Sequence, residues 1–222
     1  MADFTVCEAE QRSSDWHRSR LGRLTASCAK DMLATIKSGE AAARRDLRMK
    51  LVLERLTGRS DDDGYVNADM RRGMELEPDA LLAYEAVSGR FTNPCGFIAR
   101  NDIQIGCSPD AVIGDLPSIL GGVEAKAPRP ANHLRYIREG VVPPEHVPQM
   151  VHSLWVTGAQ FWDFVSYCDQ FPPAVRCFVA RLDRDERAIA EYERKARAFL
   201  AEIDVELQAL QTLIAMKERA AA

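Results

Sequence analysis

The order of strand-like and helix-like segments restricts this chain to a mixed α/β fold. Three short runs rich in β-branched and apolar residues follow one another in the middle of the sequence, at 91–99, 103–113 and 118–127. Two more such runs, at 160–168 and 174–182, come after a segment with helical spacing. A meander of strands followed by a helix and further strands predicts a mixed central β-sheet flanked by helices.

Segments with helical periodicity surround these strands. The spacing predicts helices near 40–57, 68–88, 131–139 and 145–157, and a long amphipathic C-terminal helix from 185 to 214. Pro78 lies inside the second helix, so a kink or a restart is expected at that point. The length of 222 residues is suited to a single domain.

The charge distribution permits an enzyme that acts on nucleic acid. The net charge is −4, whereas a protein that coats nucleic acid is expected to be basic. Residues 1–60 nevertheless carry 12 Lys and Arg against 8 Asp and Glu. A basic contact surface and an acidic metal site can therefore coexist, although chance variation along a mixed-charge surface explains the difference equally well.

Several other classes of protein do not fit the sequence. No apolar run approaches the roughly eighteen residues that a membrane span needs, so no membrane association is expected. The N-terminus is polar and has no apolar signal core, which predicts a cytoplasmic protein. The six cysteines form no C-x-x-C pair and have no companion histidine at zinc-ligand spacing, so they are interpreted as structural.

Three charged residues in the predicted strands, Asp110, Glu124 and Lys126, form the pattern most typical of catalysis. Residues i and i+2 of a strand project to one face, so Glu124 and Lys126 point the same way. If 104–113 and 119–126 pair as a hairpin, Asp110 lies beside Glu124. Adjacent carboxylates repel unless a cation binds between them, and such oxygen ligands select Mg²⁺ or Mn²⁺.

The same residues also admit a structural interpretation. Ser-Pro-Asp is a common turn, and E-x-K pairs occur by chance on many solvated strands. Taken alone, the pattern therefore predicts a catalytic site only weakly. Further segments of the chain favour the catalytic interpretation.

Four segments in a fixed order resemble the motifs of one nuclease family. Asp110 followed by Glu124-Ala125-Lys126 is similar to the D…E-x-K signature of the PD-(D/E)XK nuclease superfamily. The other segments are WHRSRLG and TAS within 16–27, RRGMELEP at 71–78, and Gln149 followed by SLWVT at 153–157. Together, over residues 15–160, they resemble the lambda exonuclease / YqaJ-type viral recombinase family.

This resemblance implies a Mg²⁺ centre, for which Mn²⁺ is a possible substitute. Asp110 and Glu124 would ligate the metal, together with the carbonyl of Ala125. Glu77 would supply a further carboxylate near a second metal. Lys126 would position the water that attacks phosphorus.

The resemblance also implies residues that hold the substrate. Gln149 would help to hold the water or the scissile phosphate. Arg20 and Ser27 would bind the 5′-terminal phosphate, with Ser108 near the same pocket, because a guanidinium and a hydroxyl complement a phosphate dianion.

Each of these residues has a structural alternative. Glu77 could be a solvated helix residue and Gln149 a helix-packing amide. Arg20 could pair with Asp15, and Ser27 could cap a helix over 28–31. The family resemblance favours the functional roles.

The implied activity is a Mg²⁺-dependent 5′→3′ exonuclease on linear double-stranded DNA, a phosphodiester hydrolase that leaves 3′ single-stranded overhangs for phage-type recombination by strand annealing. A single nuclease domain over 1–222 is expected, with a helical, 5′-phosphate-binding part at 1–66, a catalytic core at 67–182 and a C-terminal helix at 183–222. The implied partners are double-stranded DNA ends, a single-strand annealing protein and two further subunits in a homotrimeric ring. The implied location is the cytoplasm of a bacterial host, with a phage or prophage gene.

Two alternatives stay open at this point. One is another PD-(D/E)XK nuclease, such as an endonuclease or an end-trimmer of opposite polarity. The other is a non-catalytic recombination protein that binds DNA ends. The chain also departs from the family pattern, because Arg72 stands where lambda exonuclease has a tryptophan and the loop between Asp110 and Glu124 is longer.

Overall fold

The computed structural model describes residues 3–60 and 67–221, and this part of the chain forms two four-stranded sheets surrounded by helices. The strands in chain order are β1 Phe4–Cys7, β2 Leu24–Thr25, β3 Phe97–Arg100, β4 Ile105–Cys107, β5 Ala111–Ile113, β6 Gly121–Lys126, β7 Phe161–Tyr167 and β8 Cys177–Asp183. The α-helices are α1 Ser14–Arg20, α2 Ala29–Met32, α3 Ala42–Thr57, α4 Ala68–Ser88, α5 Pro130–Glu139, α6 Val147–Thr157 and α7 Glu186–Ala221.

The predicted α/β class is confirmed, but the strands are divided between two sheets. The first sheet has the order β1-β3-β4-β2 and the second the order β5-β6-β7-β8. The predicted strand at 103–113 is in fact β4 and β5, separated by Ser108-Pro109-Asp110, because proline has no N–H with which to continue a strand ladder. The predicted hairpin with β6 is present, and Ala111 pairs with Val123 in antiparallel register.

Two strands lie in the N-terminal part that was expected to be helical. β1 pairs antiparallel with β3, and β2 pairs parallel with β4. They contain four and two residues, which is too short for periodicity to identify. Their pairing brings α1 and the turn that follows β2 against the first sheet.

α4 continues through Pro78, so the expected restart is absent. Asn67 caps the helix by accepting a hydrogen bond from the Met70 backbone N–H at 2.8 Å. Ala80 and Tyr84 are fully buried in the hydrophobic cluster on one face of the second sheet. Proline removes only one backbone bond, and this packing holds the helix together on both sides of it.

The second sheet is covered on both faces, because alternate residues of β7 enter different hydrophobic clusters. Phe161 and Val165 lie in the cluster beside α4. Trp162 and Phe164 lie in the larger cluster, which also contains the predicted apolar stripe of α7 from Ile189 to Ile203. α7 extends to Ala221, beyond the expected end at 214. No helix in the described ranges is long and apolar enough to cross a membrane.

Candidate active site

Asp110 lies at an open edge of β6. β5 pairs with β6 only as far as Val123, so the next residues of β6 have no strand on that side. The backbone N–H of Asp110 donates to the Val123 carbonyl at 3.2 Å, and its Oδ2 accepts from the Ala125 N–H at 2.7 Å. Since the N–H and C=O of one strand residue point to the same edge, the Ala125 carbonyl also faces this space.

Glu124 is 2% exposed and stands at the centre of a polar network. Its Oε1 accepts a hydrogen bond from the Lys126 ammonium and another, at 2.7 Å, from the Gln149 amide. Gln149 lies in the first turn of α6, so this helix also supports the carboxylate. Both bonds converge on Oε1, which leaves Oε2 as the oxygen available for a further partner.

The charges of this cluster influence one another strongly. Burial raises the pKa of Asp110 well above its ordinary value, and the charges of Glu124 and Glu77 raise it further, while Lys126 opposes them. Burial by itself would lower the pKa of Lys126, but Glu124 and Asp110 outweigh it and hold that pKa above the ordinary value. Lys126 is therefore a charged ammonium at neutral pH, and negative charge is in excess around it.

Glu77 faces the same cleft from α4. It lines a cavity of about 550 Å³ together with Asp110 and the segment that follows β1. Its Oε2 lies 3.6 Å from the guanidinium of Arg12, which belongs to that segment. The neighbouring Gln11 fixes the segment by donating to the Pro109 carbonyl at 3.0 Å.

This arrangement suits a hard divalent cation. No group of three or more His, Cys, Asp or Glu side chains in residues 3–60 and 67–221 is arranged as a metal site by itself. Asp110 and Glu124 are close enough for their charges to interact, and the Ala125 carbonyl, on the edge that Asp110 faces, would complete a set of oxygen donors. Hard oxygen donors of this kind, with the Glu124 carboxylate raising the pKa of Asp110, fit Mg²⁺ or Mn²⁺.

Arg20 and Ser27 line a second pocket of about 220 Å³. The Arg20 guanidinium donates to the Ser108 hydroxyl at 2.9 Å and lies 4.1 Å from the ring centroid of Trp16. The Trp16 indole N–H also donates to Ser108, at 3.1 Å. Thr25 shares a hydrogen bond of 3.2 Å with the Ser27 hydroxyl.

The structure decides between some of the alternatives for these residues. Asp15 pairs with Arg18 at 2.8 Å and not with Arg20. Ser27 lies inside a short 3-10 turn, Ala26–Cys28, and α2 after it has no side-chain cap. Gln149 contacts Glu124 directly, so it is more than a helix-packing amide.

Three consecutive residues connect the surroundings of Arg20 to the carboxylate cluster. Ser108 accepts a hydrogen bond from Arg20, Asp110 belongs to the carboxylate cluster, and Pro109 joins them. The structure thus places each sequence-predicted site residue either near Arg20 or near the carboxylate cluster, and Ser108–Asp110 connects the two groups.

Sequence reasoning missed some residues that line these sites. Thr25, Arg23 and Lys50 also line the second pocket. Arg72 donates to the carbonyls of Ala127 and Pro128 at 2.9 and 3.1 Å, immediately after Lys126. Sequence periodicity does not identify Arg12 or Arg72 as site residues. Arg72 does lie in the RRGMELEP segment, at a position where the chain departs from the family pattern.

A family comparison matches this site. Residues 15–160 match the YqaJ-like viral recombinase domain, and this range includes all four motif segments. The chain belongs to the YqaJ-like viral recombinase family. No curated protein matches it.

Solved structures of other proteins share the fold of this chain. The alkaline exonuclease from Laribacter hongkongensis is 36% identical, with a TM-score of 0.82, and the match covers 92% of this chain and 99% of that one. The same figures hold for that enzyme in complex with dAMP. A phage-related exonuclease from Haemophilus somnus 129PT is 14% identical, with a TM-score of 0.65 over 85% of this chain and 96% of that one, which shows the fold alone.

Proposed function

We propose that this YqaJ-like protein is a Mg²⁺-dependent 5′→3′ exonuclease that digests one strand of linear double-stranded DNA and leaves 3′ single-stranded overhangs. The observation that carries the proposal is the junction at Ser108–Asp110, which joins an arginine and hydroxyl pocket to a carboxylate and lysine cluster. A terminal phosphate held in the first would place the next phosphodiester near the second. The relationship to an alkaline exonuclease supports a nuclease.

The chemistry is hydrolysis of a phosphodiester. Asp110, Glu124 and the Ala125 carbonyl would hold the metal, and Glu77 would hold a second one. The divalent cation supplies the positive charge that displacement at phosphorus requires. Lys126 orients the attacking water through its ammonium.

Gln149 has a supporting part in this reaction. Its amide fixes Glu124 through the 2.7 Å bond, so the carboxylate keeps its orientation while the substrate moves through the site. In the proposed reaction the side chain would also help to hold the water or the scissile phosphate.

The recognition of a strand end rests on Arg20, Ser27 and Ser108. The guanidinium of Arg20 is oriented by the Trp16 ring and by Ser108 before any substrate binds. Donors fixed in this way complement a phosphate dianion, which occurs at a strand terminus and not within a strand. The dAMP bound by the Laribacter enzyme is a deoxynucleoside monophosphate, the kind of product that such an exonuclease releases.

Linear duplexes with different ends test the proposal. With Mg²⁺, a duplex with 5′-phosphate ends should be digested about 10 to 100 times faster than one with 5′-hydroxyl ends, because a charge-assisted contact contributes about 1.5–3 kcal/mol. Arg20→Gln should remove this preference. Cutting of closed circles would instead indicate an endonuclease, and release from 3′ ends the opposite polarity. Absence of any release would indicate a non-catalytic end-binding protein.

The remaining parts of the proposal concern the biological setting. The protein would act as a homotrimeric ring around DNA, with a single-strand annealing protein as partner, in the cytoplasm of a bacterial host and from a phage or prophage gene. They rest on the family alone. Light scattering on the purified protein, at about 75 kDa for three chains of 24.8 kDa, checks the ring.

A further inference from the structure

Arg12 combines a disfavoured backbone conformation with an active-site contact. Its φ is +72°, and within the described ranges it is the non-glycine residue with a positive φ. A side chain in this left-handed region is disfavoured and persists where the surrounding structure enforces it. Such conformations concentrate at functional sites.

The segment around Arg12 is held in place from both sides. Gln11 donates to the carbonyl of Pro109, the residue before Asp110. Ser13 donates its N–H to the Glu10 carbonyl at 3.1 Å, and its hydroxyl caps α1. The turn therefore fixes the backbone position of Arg12, which lies beside the carboxylates proposed to bind the metal.

The Arg12 side chain meets Glu77 without a close hydrogen bond. Its guanidinium lies 3.6 Å from Glu77, and the side chains of Arg12 and Glu77 are 52% and 27% exposed. This is a loose, partly solvated ion pair, which contributes little energy and exchanges easily. Glu8, Glu10 and Asp110 line the same cavity, so the guanidinium lies in an acidic environment.

We infer that Arg12 is a positioning residue that holds Glu77 in the metal-free enzyme and gives it up when a divalent cation binds, after which its guanidinium faces the phosphate backbone of the substrate. The inference rests on the proposed metal centre. A guanidinium and a metal ion compete for one carboxylate, because each neutralises the same charge. Once released, an exposed guanidinium in a DNA cleft has phosphate as its natural partner.

The first half of the inference, that Arg12 and the metal compete for Glu77, is tested by Mn²⁺ binding measured by electron paramagnetic resonance without DNA. In Arg12→Gln, the weaker Mn²⁺ site should bind about two- to fivefold more tightly, since a partly exposed ion pair no longer competes. Arg18→Gln removes a nearby charge that pairs with Asp15 and leaves Glu77 untouched, so it should bind Mn²⁺ as the wild type does. Unchanged affinity in Arg12→Gln would overturn the inference.

Arg12→Gly separates the effect of the guanidinium charge from the effect of the disfavoured backbone conformation. Glycine adopts a positive φ without strain, so this variant should gain about 2–4 °C in Tm. Its Mn²⁺ affinity should rise as much as that of Arg12→Gln. A rise confined to Arg12→Gly would assign the effect to the backbone and would overturn the role of the guanidinium.

The second half of the inference, that Arg12 then faces the phosphate backbone, is tested by DNA binding measured by anisotropy. Both proteins compared carry Lys126→Ala, so that the DNA stays intact. With EDTA, Arg12→Gln should weaken DNA binding less than it does with Mg²⁺, because Glu77 then competes with DNA phosphate for the guanidinium. With Mg²⁺, Arg12→Gln should bind several-fold more weakly, and the slope of log K against log salt should decrease by about one. An equal slope in both proteins would overturn this half. If Asp110→Asn binds Mn²⁺ like the wild type, the proposed metal centre fails, independently of Arg12.

Discussion

At the scale of a residue, the charge of Lys126 has a structural role and a proposed catalytic role. Its ammonium donates to Glu124 and offsets the negative charge of Asp110, and it is also the group proposed to orient the water. Packing alone would not require a cation at the end of β6. Its replacement therefore tests both roles.

Lys126→Met should lower the single-turnover rate of nucleotide release by about 10²- to 10⁴-fold, because no cation is left to orient the water. Methionine fills a similar volume, so the packing should be kept, but the Tm should fall because the buried Glu124 loses its ion pair. Lys195→Met, on the surface of α7 and paired with Glu191, is the matched control and should keep full activity. Equal rates in the two variants would exclude Lys126 from the reaction.

The sequence predicted some residues of the site better than others, for physical reasons. Glu124 and Lys126 were identifiable because strand alternation puts them on one face. Arg12 was not, because its backbone conformation is set by the turn around it and not by any preference of arginine. Arg72 was noted as a departure, but its acceptors lie 55 and 56 positions away in the sequence.

At the scale of elements, two glycines allow β6 to lie beside β7. A Cβ added to Gly122 would lie 2.4 Å from the indole of Trp162, which is fully buried. Gly121 has the same relation to the ring of Phe161. The aromatic rings of β7 therefore fill the space that side chains of β6 would need.

Gly122→Ala should lower the free energy of unfolding by about 1–3 kcal/mol, because the buried indole has to move to make room. Urea unfolding measures the loss. Gly140→Ala tests a glycine with φ +67° and no heavy atom near the added Cβ, so it separates backbone strain from overpacking. Wild-type stability in Gly122→Ala would show that the ring moves freely.

Arg72 joins α4 to the chain that leaves β6. Besides the two carbonyls after Lys126, it binds Asp169 Oδ1 at 2.7 Å. Arg72→Met should lower kcat about tenfold with little change in KM for DNA, because the spacing between Glu77 and Lys126 loosens while the DNA pocket is intact. Arg72→Lys should restore part of the rate. Arg71→Met, at the exposed neighbouring position, is the control, and an equal loss there would contradict the role of Arg72.

The elements themselves were largely predictable where periodicity was long. The helices α3, α4 and α7 and the strands β6 to β8 are close to their predicted positions. The division into two sheets was not predictable, since it depends on β1 and β2, which are too short to recognise and pair with strands more than 75 positions away.

At the scale of the whole molecule, a buried histidine links stability to pH. His152 accepts a hydrogen bond from the Tyr192 hydroxyl at 2.7 Å and donates to the Gly106 carbonyl at 3.1 Å, which joins α6, α7 and the first sheet. Burial lowers its pKa from 6.5 to about 3. The folded protein therefore keeps this imidazole neutral in mild acid.

Wild-type stability should decrease as the pH falls below 6.5, because only the unfolded chain then takes up a proton at this position. The loss is about 2 kcal/mol between pH 6.5 and pH 5, at about 1.4 kcal/mol per unit. Above pH 6.5 the imidazole is neutral in both states and contributes no slope. Urea unfolding of His152→Gln should show lower stability at pH 7 but a flatter pH dependence. An unchanged slope would contradict the assignment.

The junction at Ser108–Asp110 has a consequence for the products of the proposed reaction. Two residues of extended chain span at most about 7 Å, so this turn keeps Ser108, which Arg20 contacts, close to Asp110. In the proposed reaction the turn would hold the terminal phosphate about one nucleotide from the cleavage centre. Whatever the base sequence, each turnover would release a mononucleotide, and the enzyme would advance in uniform steps.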